Sequence, residues 1–176
     1  MTLPEKNILL PILCLLLLCG KPERMHAQDI DTKAYTLFLY NFMKYVEWPS
    51  TEGDFVIGVV GDSPVKTELQ VLAKTKKAKG RQIVVISVAS LSDAVLCNMV
   101  YIPTPKSAEL RPMLEKVKGK SVLIVAEREG LAKKGAGISF FIDDDDALKF
   151  DINKSAIDSQ SLKIAQMLLQ LGILVG

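Results

Sequence analysis

Short apolar runs alternate with amphipathic segments along most of the chain. A strand that is covered on both faces is apolar throughout, without the alternation of a half-exposed strand. Two runs fit that description and predict buried strands, Phe55–Val60 and Ile83–Val88. Met99–Ile102 and Val122–Ala126 predict a third and a fourth strand.

Segments with helical periodicity separate these strands. Asp31–Glu47 carries a broad apolar face, and Pro49 disfavours a helical conformation at Trp48, so the helix is predicted to end there. The other predicted helices are Pro64 to about Thr75, a turn around Leu91–Ala94, Ser107–Lys118, and an amphipathic helix within Ser155–Leu171.

Near the C-terminus, "ISFFI" and "ALKFDIN" flank Asp143–Asp146, which predicts an antiparallel hairpin with an acidic turn. The segment "KKAKGRQ" (Lys76–Gln82) is predicted to be a solvated basic loop. Strands that alternate with helices indicate an α/β fold: a single domain with a mostly parallel sheet, flanking helices and this C-terminal hairpin.

The N-terminal residues 1–27 are typical of a secretory signal peptide. Lys6 gives a weakly positive start, Ile8–Cys19 is apolar, and cleavage is predicted before Gln28. The apolar run is shorter than the roughly 20 residues of a membrane span. The domain is therefore predicted to occupy residues 28–176 of an exported protein, with periplasmic localisation.

Removal of residues 1–27 changes the available chemistry. It takes away His26, the only histidine, and leaves Cys97 as the only cysteine, while the formal charge falls from +2 to +1. The near-neutral charge argues against a nucleic-acid partner. A single cysteine excludes an internal disulfide, and without a histidine one subunit cannot form a Cys/His zinc site or a histidine triad.

Polar residues follow several of the predicted strands. Open α/β sheets bind ligands beyond the carboxyl ends of their strands, and helix starts there can bind small anions. In any sheet of this kind such positions are more often caps and loop residues, and no Gly-rich phosphate loop accompanies them. The ligand-binding candidates are Asp62, Ser63, Thr104, Lys106, Glu127 and Arg128.

No catalytic centre, cofactor or metal site is predicted. Gly135–Gly137 is too short for a dinucleotide fingerprint. Asp143–Asp146 offers oxygen ligands, but it lacks the interleaved spacing and the later Glu of a dedicated calcium loop, which favours a solvated turn. Glu127 to Glu129 could include an acid/base pair, yet no nucleophile or histidine lies nearby. The protein is therefore predicted not to be an enzyme.

Aromatic residues gather at the end of the first helix. Phe38 and Phe42 are predicted to pack in the core. Tyr45 and Trp48 suit either a core or a binding surface, because Tyr and Trp are favoured as interface anchors. We take Tyr45 and Trp48 as the partner-binding candidates and leave both alternatives open.

The order and spacing of several motifs resemble the YfiR family of bacterial periplasmic proteins. The resemblance runs from about Thr32 to Leu171 and rests on "YNFMKYVEWP", "FVIGVVGDSP", "GRQIVVISV", "LCNMVYIP", "LIVAE", "GLAKKGAGISFF" and "LKFDINKSAIDSQSLKIAQMLLQL". It implies a regulator that restrains a membrane diguanylate cyclase through its periplasmic sensor domain. Related domains are fused to sensor kinases, so either class of signalling protein is an expected partner, and a homodimer is expected.

Two departures from the family pattern limit what the resemblance implies. Cys97 has no partner cysteine after cleavage, so redox control through an internal disulfide does not carry over. Glu127 stands where the family commonly has Asp, which keeps the carboxylate but lengthens its reach.

The sequence is therefore compatible with two functions. The first is a non-enzymatic periplasmic regulator that binds and restrains the sensor domain of a membrane signalling protein. The alternative is a periplasmic small-molecule binding module associated with an envelope uptake system.

Overall fold

A long helix opens the part of the chain that the structure describes. The computed structural model describes residues 24–176, with side chains from Thr32 onward. Helix α1 spans Arg24–Tyr45 and leads into the two-residue strand β1 (Val46–Glu47). Most of the predicted signal peptide, residues 1–23, lies outside the described residues. Its cleavage before Gln28 stays a prediction.

Eight strands form one sheet in the order β10-β8-β7-β6-β5-β2-β4-β3. Pairing is parallel from β4 through β2, β5 and β6 to β7. β8 is antiparallel to β7, β10 is parallel to β8, and β3 is antiparallel to β4. The strands are β2 (Phe55–Val60), β3 (Lys77–Ala78), β4 (Arg81–Val88), β5 (Met99–Ile102), β6 (Leu123–Ala126), β7 (Ile138–Ile142), β8 (Leu148–Ile152) and β10 (Ile173–Leu174).

The remaining elements connect the strands and cover the sheet. Two 3₁₀ helices, at Thr104–Glu109 and Ala132–Lys134, lie in the loops after β5 and β6. The other helices are α2 (Pro64–Ala73), α3 (Leu91–Ala94), α4 (Leu110–Lys116), α5 (Lys154–Ser159) and α6 (Gln166–Leu171), and β9 is Lys163–Ile164.

The direction of strand addition reverses beside β2. The chain passes from β2 outward to β4, then crosses back to place β5 on the other side of β2. Such a reversal opens a crevice at the carboxyl ends of the two strands, the usual ligand position in open α/β sheets. Residues that follow β2 and β5 therefore border this crevice.

Each face of the sheet has its own apolar core. On one face, α1 and α2 contribute Leu39, Phe42 and Leu69. On the other, α3 and α4 contribute Ala94, Leu110 and Met113. Burial on both faces explains why β2 is apolar along its whole length.

Aromatic packing fixes α1 on the C-terminal hairpin. The Phe42 ring lies 5.1 Å from that of Phe150 and 5.8 Å from that of Phe140, measured between centroids. Phe38 contacts the same two rings at 5.4 and 5.9 Å. These tilted and edge-on geometries are favourable for aromatic pairs. The predicted core role of Phe38 and Phe42 agrees with this packing.

The prediction of a solvated loop at Lys76–Gln82 is wrong. Lys77–Ala78 pairs antiparallel with Arg81–Gln82, and Lys79 and Gly80 form the turn with positive φ values of 50° and 83°. Two positive φ angles give the tight turn that matches strand twist. Ala78 is fully buried against the α1 core, and its burial anchors the hairpin.

The prediction of one helix within Ser155–Leu171 is also wrong. Helix α5 stops at Ser159, Ser161 takes a left-handed φ of 58°, and Lys163–Ile164 forms β9, antiparallel to β1. The chain becomes helical again only at α6. Pairing with β1 satisfies backbone groups that a continuous helix would have bonded internally.

Other differences are smaller. The predicted buried strand Ile83–Val88 begins earlier, at Arg81, and only Ile83 and Val88 are buried because β4 lies next to the short edge strand β3. The helix predicted at Ser107–Lys118 begins as the 3₁₀ turn Thr104–Glu109. The predicted α/β fold, a single domain with a mostly parallel sheet and a C-terminal hairpin, is confirmed.

Gly58 tests the packing of the central strand. A Cβ at this position would lie 2.5 Å from Val88 Cγ2 and 2.7 Å from Cys97 Sγ. We expect Gly58→Ala to lower the free energy of unfolding by about 1–3 kcal/mol through overpacking, measured by urea denaturation. Cys97→Ala in the same background should recover part of that loss. An unchanged free energy of unfolding in Gly58→Ala would contradict this close packing of β2 against Val88 and Cys97.

Asp143 tests the acidic hairpin turn. Its carboxylate accepts hydrogen bonds from Lys149 Nζ and from the Ala147 amide, which lower its pKa below the usual 3.8, Lys149 contributing most. The charged form therefore stabilises the fold above the unfolded-state pKa, and this contribution is lost as the pH falls through the folded-state pKa.

We expect Asp143→Asn to lower the urea midpoint at pH 7, with the difference from wild type narrowing as the pH falls through the folded-state pKa of Asp143. Asp144→Asn removes the same charge without those bonds and is the control. Equal urea midpoints for the wild type and Asp143→Asn at pH 7 would show that the charged Asp143 carboxylate does not stabilise the fold.

Candidate functional site

Four of the predicted ligand residues lie in two places at the carboxyl ends of the parallel strands. Ser63 and Lys106 lie near Gly61, and Thr104 contacts Glu127. Ser63 is the N-cap of α2 and accepts a hydrogen bond from the Val65 amide at 3.3 Å. The Lys106 side chain lies over Gly61, where an added Cβ would be 2.7 Å from Lys106 Cε. Gly61 has a positive φ of 68°, so this position suits glycine on both grounds.

Glu127 and Thr104 are joined directly. The Thr104 amide donates to Glu127 Oε2 at 2.8 Å, which ties the loop after β5 to the loop after β6. The fully buried Tyr101 carries a hydroxyl that lies near the Glu127 carboxylate. Burial, followed by the nearby Glu127 carboxylate and Tyr35, raises the pKa of Tyr101. The hydroxyl therefore stays protonated beside a carboxylate that is held by the backbone.

The remaining candidates are not drawn into either group. Asp62 and Arg128 are exposed. A cavity of about 370 Å³ opens beside Lys106 and is bordered by Gly61, Ser90 and Glu109. Two backbone amides at this edge, those of Ala89 and Ser90, already donate to Asp93. Ligand binding by the six predicted residues stays a prediction.

The opposite end of the sheet contains a denser arrangement around Asn98. Its side-chain Oδ1 accepts from the Val56 amide at 2.9 Å and from Arg81 at 3.3 Å. Its carbonyl accepts from the Trp48 indole at 3.0 Å and from the Leu123 amide at 2.9 Å. We call this set of bonds the Asn98 junction. These bonds, made just before β5 begins, connect β2, β4 and β6 with the segment that contains Trp48.

Arg81 adds a clasp to the same region. Its guanidinium donates to the carbonyls of Gly53, at 2.9 Å, and Asp54, and lies 5.4 Å from the centre of the Phe55 ring. Most of its donors are therefore used within the protein, which makes Arg81 a structural residue more than a free cation.

A groove of about 310 Å³ opens beside this junction, and we call it the amino-edge groove. Trp48 is only 8% exposed and packs edge-on against Phe55, with ring centroids 4.9 Å apart. Most of the wall is apolar, with charged groups at the rim. The groove is lined by Met43, Glu47, Trp48, Ser50, Thr51, Phe55, Ala78, Lys79 and Arg81.

The two partner-binding candidates occupy different positions. Trp48 is part of the core and one wall of the amino-edge groove. Tyr45 is half-buried outside the groove, with Lys44 Nζ 5.0 Å from its ring centre and 5.7 Å from that of Tyr40. Tyr40 in turn donates to the Lys77 carbonyl at 3.3 Å. The β3–β4 hairpin therefore lies next to both the amino-edge groove and the cluster of Tyr40, Lys44 and Tyr45.

Metal-ligating and nucleophilic side chains are sparse among the described residues. Among the side chains that the structure describes, residues 32–176, no three Cys, His, Asp or Glu are grouped closely enough to hold a metal. Cys97 is buried, and burial, with Asp93 contributing less, raises the pKa of its thiol to about 12. A thiol of this kind is a poor nucleophile.

The sequence pattern did not single out Asn98 or Arg81. A lone Asn before an apolar strand and an Arg after a Lys-Gly turn carry no motif. The sequence does show that both residues stand at the start of a predicted strand. Polar side chains at such positions can accept hydrogen bonds from, or donate them to, the free backbone groups of neighbouring strands.

Comparisons with known proteins place the chain in a family and support its fold. A family model described as YfiR/HmsC-like matches residues 32–173. No curated protein matches the chain. No helix in the described part of the chain is both long and apolar enough to cross a membrane.

One similar solved structure is that of the ABC domain in complex with L-Trp from Streptococcus pneumonia. It is 15% identical with a TM-score of 0.52, and the match covers 77% of this chain. The chain spans 59% of the length of that protein. At this identity the likeness shows the fold alone.

The Asn98 junction generates a stability prediction. Asn98→Ala leaves the Val56 amide without its acceptor and releases one Arg81 contact, so we expect a loss of about 1–3 kcal/mol in the free energy of unfolding. Fluorescence of Trp48, the only tryptophan, reports the urea transition. Asn98→Asp keeps an acceptor oxygen and is the matched control. Equal losses in the two variants would show that the side-chain acceptor is unimportant.

Proposed function

Because the chain belongs to the YfiR/HmsC-like family, we propose that it is an exported regulatory protein that binds and restrains the periplasmic sensor domain of a membrane signalling protein. The partner is a diguanylate cyclase or a sensor kinase. Residues 1–27 are the signal peptide that takes residues 28–176 to the periplasm, where the protein acts as a homodimer and not as an enzyme.

The amino-edge groove is the observation that carries the choice of binding surface. Its apolar wall can take an apolar or aromatic side chain, and its rim offers Glu47 and Lys79 for polar contacts. A buried apolar centre with a polar rim is the usual composition of a protein interface. Trp48 would act as one wall of the receiving pocket and not as a protruding anchor.

Rigidity of the groove supports this use. Trp48, Phe55 and Arg81 are held by the indole bond to Asn98, by the ring contact and by the Arg81 clasp. A surface that is already ordered loses little conformational entropy on binding. Tyr45 and Lys44, on the other side of the β3–β4 hairpin, would extend the same interface.

Restraint follows from unequal affinity. If the regulator binds the inactive conformation of the sensor domain more tightly than the active one, occupancy shifts the sensor toward inactivity. A signal that weakens binding then releases the enzyme or kinase. A regulator with equal affinity for both conformations would shift nothing.

A small-molecule binding module of an envelope uptake system is the alternative, favoured by the cavity beside Lys106. Its volume of about 370 Å³ falls in the range of ligand pockets, and the protein of similar fold described above was solved with L-Trp. Under this reading a ligand raises the melting temperature, and Lys106→Glu abolishes the rise.

The partner can be identified by crosslinking in living cells. We expect the tagged protein, expressed as the full-length chain in its own cells, to recover a membrane cyclase or sensor kinase by mass spectrometry. Thr51→Trp, which places a bulky ring at the groove, should lower that recovery at least tenfold. Thr67→Trp, an exposed threonine on α2, is the matched control and should leave recovery unchanged.

Recovery of no signalling protein by the wild type would contradict the regulatory proposal. If the Thr51→Trp variant recovers as much signalling protein as the wild type, the regulatory proposal stands but the groove is not the interface. Recovery of transport components, together with a ligand-induced thermal shift that depends on Lys106, would favour the alternative.

A further inference from the structure

The edge of the sheet at α6 and β10 exposes large apolar side chains. Leu171 is 63% exposed, Leu174 57%, Ile173 51% and Met167 48%. Met167 and Leu171 lie one helical turn apart on the same face of α6, and Gly172 connects them to β10. We call these four residues and the outer edge of β10 the α6–β10 edge.

Close packing holds this edge in place. An added Cβ at Gly172 would lie 2.6 Å from both Ile152 Cδ1 and Phe150 Cε2. Leu168 is buried in the α1 core, and the Val175 amide donates to the Ile152 carbonyl at 2.9 Å. The exposed apolar groups are therefore presented by a fixed support.

The α6–β10 edge also lacks charge. No Lys, Arg, Asp or Glu occurs from Ala165 to Gly176, and Asp151, which faces Ile173 in the strand register, is itself buried. Exposed edge strands usually carry charges or prolines that prevent pairing with another chain. This edge has neither.

We propose that the α6–β10 edge is the surface through which two copies of this chain associate, with the β10 strands antiparallel across a two-fold axis. This rests on the homodimer of the proposed function and assigns its surface. A two-fold interface brings each residue near its own copy, so charges in it would meet like charges. A neutral apolar patch suits a second copy for that reason.

Size supports the same occupant. Half-exposed side chains of this kind give roughly a few hundred Å² of apolar surface per copy. In a two-fold dimer both copies bury this area, and the backbone of β10 adds to it. The total buried surface then approaches the roughly 1,200 Å² of the smaller specific interfaces. The amino-edge groove, with Glu47 and Lys79 at its rim, suits an unlike partner instead.

Lysine substitutions test the proposal in solution. Protein purified from cells that express the full-length chain should be dimeric in sedimentation equilibrium. Leu174→Lys places like charges across the axis and should raise the dimer dissociation constant at least tenfold. Val71→Lys, at a valine 54% exposed on α2, is the matched control and should not change it. A monomeric wild type, or a dimer equally stable in Leu174→Lys, would overturn the proposal.

Cysteine substitutions test it without disturbing the fold. Facing residues of antiparallel strands have Cα atoms about 4.5–5.5 Å apart, within the range that a disulfide spans. Mild oxidation should therefore crosslink Ile173→Cys or Leu174→Cys into dimers, while Val71→Cys stays uncrosslinked. The buried Cys97 thiol does not compete. No crosslink from either variant alone, or from a mixture of the two, would refute the antiparallel pairing, because the two-fold axis makes each position face either its own copy or the other position.

Capture of the membrane partner separates this proposal from the proposed function. Leu174→Lys should remain able to recover the signalling protein through the intact amino-edge groove. If the lysine variant stays dimeric but loses the partner, the α6–β10 edge is the partner surface and the proposed pairing is wrong.

Discussion

The Asn98 junction is the constraint on which the amino end of the sheet depends. Parallel strands begin side by side, and their first amides need acceptors that the strand ladder does not supply. Asn98 supplies two of them, through Oδ1 to the Val56 amide and through its carbonyl to the Leu123 amide, and it also binds the Arg81 guanidinium and the Trp48 indole. These bonds hold Trp48 and Arg81 against Phe55 in the lining of the amino-edge groove.

Local patterns predicted the centre of the sheet well. β2 and β5 have the predicted bounds, because strands buried on both faces are marked by apolar residues at every position. The edges were harder. β3 has a single buried residue, Ala78, and Lys79 takes a left-handed conformation that lysine rarely adopts, so neither alternation nor a familiar turn sequence revealed the hairpin.

Long-range pairing explains the other failures. β9 forms because β1 lies beside it, and no periodicity within Ser155–Leu171 reports a strand so distant along the chain. The site shows the same limit. Ser63 as a helix cap could be predicted from its own neighbours, whereas the contact between Thr104 and Glu127, and the roles of Asn98 and Arg81, depend on which strand ends become adjacent.

The β1–β9 pairing also bears on the order of folding. Val46 meets Ile164, and Phe38 and Phe42 of α1 pack against Phe140 on β7 and Phe150 on β8. During synthesis, the first helix therefore emerges long before the surface that covers its apolar face. Such high contact order slows folding and delays the native state until nearly the whole chain is available.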